Sequence, residues 1–131
     1  MDARELITAG MSAERVLTVT PDMTVRHFVP TMPAVYATPM MILAMEMTSV
    51  DAIAAALPEG WVTVGTEVDI RHLAATPVGH EVRTHSRVIA VERKVIRFEV
   101  EAFDGDRRIG EGRHARGLIN VASFARRLGE G

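Results

Sequence analysis

The chain has 131 residues, 47% hydrophobic and 24% charged, with a formal net charge of −2, and this fits one domain over 1–131 that buries roughly two-thirds of its unfolded surface. That charge gives no general attraction to nucleic acid or to an anionic membrane, although Arg107 and Arg108 form a local basic patch. Cysteine is absent, which excludes disulfide scaffolds, thiolate zinc sites and cysteine nucleophiles.

Met1–Glu5 lacks a basic start followed by a long apolar run, so no secretory signal is expected. The longest apolar stretch, Pro39 to Met45, is broken by Glu46 and is too short to span a membrane. A cytoplasmic protein with no membrane partner follows as the expectation. Glu14 to Thr20 alternates Val16 and Thr18 with Leu17 and Val19, the pattern of a first strand ending at the turn signal Pro21-Asp22. Between Thr24 and Tyr36, prolines at 30 and 33 forbid a continuous helix or central strand. The result is a loop carrying Phe28, Met32 and Tyr36, which could cover a pocket.

Thr38 is placed to cap a helix with its hydroxyl, and Pro39 suits the first helical position. Helix formers continue to Leu57, where Pro58-Glu59-Gly60 ends the run. Apolar residues lie on nearly every face of its first half, which predicts a mostly buried helix. After Gly60 the period becomes two, with Val62, Val64, Val68 and Ile70 on one face and Glu67, Asp69 and Arg71 on the other. Three more strands are predicted at Glu81–Val91, Val95–Phe103 and Arg107–Val121, joined at Glu92-Arg93-Lys94 and Asp104-Gly105-Asp106. A final helical turn is expected over Ser123–Leu128. One long helix before consecutive long strands gives an α+β architecture in which an antiparallel sheet curls around the helix.

Three residues stand out on this framework. Glu46 is a carboxylate on a helix that looks buried, where it needs a partner or a task. It either reaches solvent or an arginine, or it takes part in chemistry. His72 shares the apolar face of Val68 and Ile70, where a lone histidine is more often a satisfied core residue than a catalyst. Thr38 is explained by capping alone. A helix packed on the sheet would nevertheless bring hydroxyl, carboxylate and imidazole to one cleft, and these are the parts of acyl-transfer chemistry. Met40, Met41 and Met45 form an adaptable core face that could also line an acyl pocket. Gly110-Glu111-Gly112 marks a bulge or a close backbone approach. No nucleotide-binding loop and no convincing metal spacing occur, so no metal is expected.

Four segments carry a family resemblance: Thr24-Val25-Arg26-His27; Val35-Tyr36-Ala37-Thr38 leading to Met45-Glu46; Gly65-Thr66 through His72 to Ala74-Ala75-Thr76-Pro77; and Gly112-Arg113-His114-Ala115-Arg116. In this order and spacing the chain, from about Thr24 onward, resembles the fluoroacetyl-CoA thioesterase family of hot-dog proteins. The resemblance implies a hot-dog fold, a long central helix wrapped by a curved antiparallel β-sheet, and a catalytic triad at Thr38, Glu46 and His72. It further implies that Gly65 helps position the thioester carbonyl and that Arg116 lies near the site, in contact with coenzyme A. With Tyr36 and Met41 these complete the expected substrate contacts.

The expected activity is hydrolysis of a small or medium acyl-CoA, fluoroacetyl-like esters among them, with no cofactor beyond the coenzyme A of the substrate. The class also implies a homodimer with sheets joined edge to edge. Pro39 departs from the glycine that follows the threonine in fluoroacetyl-specific members, and the loop around Met32, Pro33 and Tyr36 has no assured counterpart of their aromatic lid. The rival readings are a non-catalytic acyl-CoA or small-ligand binder and, ranked last, an enoyl-CoA hydratase.

Overall fold

The computed structural model describes residues 1–129. Five strands, β1 (Ser12–Thr18), β2 (Trp61–His72), β3 (Glu81–Val91), β4 (Val95–Asp104) and β5 (Arg107–Asn120), form one antiparallel sheet in the order β1-β3-β4-β5-β2. A short helix α1 (Val25–Phe28) lies in the loop before the long helix α2 (Thr38–Ile53), and α3 (Val121–Arg127) ends the described chain. The strand limits agree with the sequence reading to within two residues. The loop from 24 to 36 contains α1 and is tied down where Tyr36 N–H donates to the Thr76 carbonyl at 2.8 Å.

Packing α2 onto the concave face of the sheet makes the core. Met41, Met45 and Ile53 meet Val82, Val88, Ile96, Phe98, Val100, Ala102 and Leu118, all buried. Alternate residues of β3 and β4 supply this surface, as a strand with one face covered requires. The outer sheet face carries exposed ion pairs, among them Arg83–Glu14, Arg87–Glu99 and Arg108–Glu101. Such pairs add little stability, but they keep that face wet.

The helix differs from expectation in three ways. Its N-cap is Ala37, which leaves Thr38 as the first helical residue and frees its hydroxyl from capping. Thr48 and Ser49, polar by composition, are buried: their hydroxyls donate to the carbonyls of Ala44 and Met45 at 2.7 and 2.8 Å, and Ser49 also meets Ser86 at 2.7 Å. Burial is also less complete than predicted, for Leu43 is 48% exposed on the side turned from the sheet. Thr38–Ala56 as a whole is apolar and long enough to cross a membrane, but here it is a core helix lying on β1 and β3.

On β2 the predicted face pattern fails halfway. Gly65 pairs with Arg116 and Glu67 with Ala115, so Thr66 is an inserted residue. The bulge reverses parity. Trp61, Thr63 and Gly65 share the helix side with Val68, Ile70 and His72, while Val62 and Val64 turn outward.

The two glycines of β5 are close approaches. A Cβ at Gly110 would lie 2.5 Å from Sδ of Met41, and one at Gly112 would lie 2.1 Å from the Asp69 carbonyl oxygen. Met41 can shift its flexible thioether, whereas the backbone of β2 cannot move without breaking the ladder. Gly112→Ala should therefore cost about 3 kcal/mol and lower the melting temperature by roughly 10 °C. Gly110→Ala should cost about 1 kcal/mol. Equal melting temperatures for the two variants in a thermal scan would contradict this account.

Candidate active site

The first helical residue and the last residue of β2 meet. Oγ1 of Thr38 lies 2.7 Å from Nδ1 of His72, joining the helix start to the strand end across the mouth of the sheet. His72 faces the helix opposite Gly110, whose missing side chain leaves room for Met41. Nε2 of His72 is buried and has no hydrogen-bond partner among the described residues. Burial holds the His72 pKa below its ordinary value, partly opposed by the Ala74 backbone, and so favours the neutral ring.

Glu46 lies elsewhere on the same helix. It is eight residues beyond Thr38, about 12 Å along the helix axis at the usual rise. Its Oε2 is 3.6 Å from Nη1 of Arg116, with side-chain exposures of 29% and 6% respectively. Glu46 thus has both solvent access and an arginine partner. A Cβ on Gly65 would sit 3.3 Å from Cε1 of His114, 3.4 Å from Oε2 of Glu46 and 3.5 Å from Nη1 of Arg116, so this glycine is the floor of a small polar chamber.

Arg116 is built into the structure. Nε donates to Oγ1 of Thr63 and Nη2 to the Thr63 carbonyl, each at 2.8 Å, while Nη1 lies 3.0 Å from Nε2 of His114. Burial lowers the Arg116 pKa and Glu46 partly restores it. With its donors turned inward, Arg116 reaches Glu46 rather than the outer surface of the sheet. Met41, expected to contact substrate, is fully buried against Gly110 and belongs to the core. Tyr36 is also buried, its hydroxyl donating to the Met40 carbonyl at 3.3 Å. It borders an apolar cleft of about 310 Å³ with Met23, Met40, Leu43 and Met47.

The expected single cleft is therefore two half-sites within one chain: Thr38 with His72, and Glu46 with Gly65, Arg116 and His114. Neither the apolar cleft nor a larger depression of about 520 Å³ on the charged outer face includes Thr38, Glu46 or His72. Sequence reasoning passed over His114 and Thr63. The available signal was parity on β5, which puts His114 and Arg116 two residues apart on the helix side.

A long helix cradled by a five-stranded antiparallel sheet, with polar groups at the helix start and midpoint, defines a protein of the hot-dog class. A hot-dog-like protein from Thermanaerovibrio acidaminovorans superposes with a TM-score of 0.90 at 24% identity, covering 99% of this chain and 96% of that one, a likeness of fold. Residues 19–122 match the model of the fluoroacetyl-CoA-specific thioesterase family, and the chain belongs to that family. The fluoroacetyl-CoA thioesterase of Streptantibioticus cattleyicolor is 37% identical over 112 residues, 81% of each chain. A solved structure of a fluoroacetyl-CoA thioesterase matches with a TM-score of 0.88 at 32% identity, covering 95% of this chain and 96% of that one.

Burial also lowers the His114 pKa, so both inward histidines resist protonation in the folded state. The unfolded chain takes up these protons near pH 6.5. Their contribution to stability is thus present above that pH and is lost as the pH falls through and below it. Melting temperatures measured from pH 7.5 to 5 should decline, and the decline should be shallower in His72→Gln. An identical decline in the variant would remove His72 from the linkage.

Proposed function

We propose that the protein hydrolyses a small or medium acyl-CoA thioester to the free acid and coenzyme A. The observation that carries this reading is the Thr38–His72 hydrogen bond at the mouth of the sheet, on the same helix as a carboxylate that is half-open to solvent beside a glycine. Glu46 acts on the thioester carbonyl, either as the base that removes a proton from the attacking water or as the nucleophile, whose mixed anhydride a water then hydrolyses to the free acid and the restored carboxylate. The C–S bond breaks as the tetrahedral intermediate collapses, and the thiolate leaves with a proton delivered through His72. Thr38 orients the substrate or the carboxylate. Backbone donors around Gly65 face the developing oxyanion, a contribution that is usually large in acyl transfer.

This chemistry calls for no metal or organic cofactor, and the protein acts in the cytoplasm.

The functional unit is a homodimer. β2 is an edge strand that leaves Val62 and Val68 exposed, and such an edge is a template for pairing. Two β2 strands paired antiparallel about a two-fold axis carry the His72 end of one toward the Gly65 region of the other. Thr38 and His72 of one copy then face Glu46 of the second, which joins the half-sites that one chain keeps about 12 Å apart along its helix.

Thiol release from a panel of acetyl, fluoroacetyl, longer aliphatic and aromatic CoA esters tests the activity. Turnover should fall at least about 100-fold in Glu46→Ala and in His72→Ala, with the circular dichroism spectrum retained. Binding without thiol release would instead make the protein an acyl-CoA binder, and hydration of an enoyl-CoA would make it a hydratase.

The shared site has its own test. Unfolding and refolding the two inactive variants together should restore about a quarter of wild-type activity, since half of the dimers are mixed and each mixed dimer keeps one intact site of two. No restoration, with mixed dimers detected by mass spectrometry, would place the whole site within one chain.

A further inference from the structure

β5 turns His114 and Arg116 toward α2, and both are buried. A buried imidazole beside a buried guanidinium is stable only if each polar atom has a defined partner. Nδ1 of His114 lies 2.8 Å from the Glu67 carbonyl oxygen, which can only accept, so Nδ1 carries a proton and donates it. Nε2 lies 3.0 Å from Nη1 of Arg116, which can only donate, so Nε2 is a bare acceptor. Two neighbours with fixed roles thus select one neutral tautomer.

The ring has little freedom to turn. It stacks on Phe98 with centroids 6.1 Å apart and planes 27° from parallel, and its Cε1 lies under Gly65. The charged groups acting on it are Arg116 from its own strand, which disfavours protonation, and Glu46 from α2, which favours it. β2 offers the Glu67 carbonyl and β4 the uncharged Phe98. Burial is the largest influence and keeps the ring neutral.

These bonds also bracket the bulge. Arg116 grips Thr63, just before Gly65-Thr66, and His114 grips Glu67, just after. Together the two side chains staple β5 to β2 on both sides of the inserted residue.

We propose that His114 is a positioning residue of the hydrolytic site: its Nδ1–H bond to Glu67 fixes the ring, and the bare Nε2 so placed aims the Arg116 guanidinium at Glu46. The consequence for turnover rests on the thioesterase reading. The tautomer does not.

Two substitutions separate the two nitrogens. His114→Asn retains a donor near the Nδ1 position and removes the acceptor, whereas His114→Gln sets an amide oxygen near the Nε2 position. His114→Asn should lower kcat by about tenfold or more with KM changed less than about threefold, because Arg116 loses its aim at Glu46 while no residue exposed to the substrate's remainder is changed. His114→Gln should recover most of that loss. Full activity in His114→Asn, or equal losses in the two variants, would overturn the proposal.

Should His114→Asn not fold, the wild-type ring can be read directly. Its ¹⁵N spectrum at neutral pH should show a protonated Nδ1 and a bare Nε2, and an Nε2–H or imidazolium form would overturn the assignment. Failure of the thioesterase reading shows separately, as a wild-type protein that releases no thiol from any ester.

Discussion

One inserted residue decides which side chains of β2 meet the helix. Without a bulge at Thr66, Val62, Val64, Val68, Ile70 and His72 would all share one face, and Gly65 would point outward. With it, Gly65 sits over Glu46, Arg116 and His114, while Val68, Ile70 and His72 keep their inward orientation. The cluster around Gly65 therefore depends on this local irregularity, whereas the Thr38–His72 pair does not. A bulge is tolerated only where its loosened ladder is compensated, and the side chains of Arg116 and His114 bond the β2 backbone on either side of it.

A second constraint is how closely α2 approaches the sheet. Gly110 lets Met41 settle against β5, and Gly112 lets the backbones of β2 and β5 come together. The helix start is then near enough to the end of β2 for the Thr38 hydroxyl to reach His72. The same proximity buries Thr48 and Ser49, which satisfy their hydroxyls on the preceding turn of the helix. The packing that builds the core also sets the polar atoms of the site.

Much of the fold was legible in the residues. The change from helical to two-residue period after Gly60 located β2, and turn signals located the β3–β4 and β4–β5 joints. Thr38, Glu46 and His72 could be singled out because each is polar on an apolar element. The bulge was not legible: Val62 and Val64 continue the alternation without a break, and the extra residue is revealed only by pairing with β5. Local pattern also misplaced Thr38 as a cap, since a threonine before proline fits the cap and the first turn equally well. His114 went unweighed for a related reason. Its meaning comes from Arg116 and the Glu67 carbonyl, 47 residues away in sequence, and not from its neighbours along β5.

The burial of Arg116 makes the Glu46 cluster unequal. The cation is nearly enclosed while the carboxylate keeps contact with water, so removing Glu46 strands a buried charge, whereas removing Arg116 leaves Glu46 with water to solvate it. Thr63 and His114 limit that loss by holding three of the guanidinium donors. On the proposed mechanism, Arg116 therefore stays charged in place whether or not Glu46 is engaged with a substrate. A carboxylate that attacks or protonates during turnover changes its charge transiently, and a cation fixed by other partners does not have to move when it does. That arrangement suits an electrostatic anchor, since it is organised before the reaction and unchanged by it.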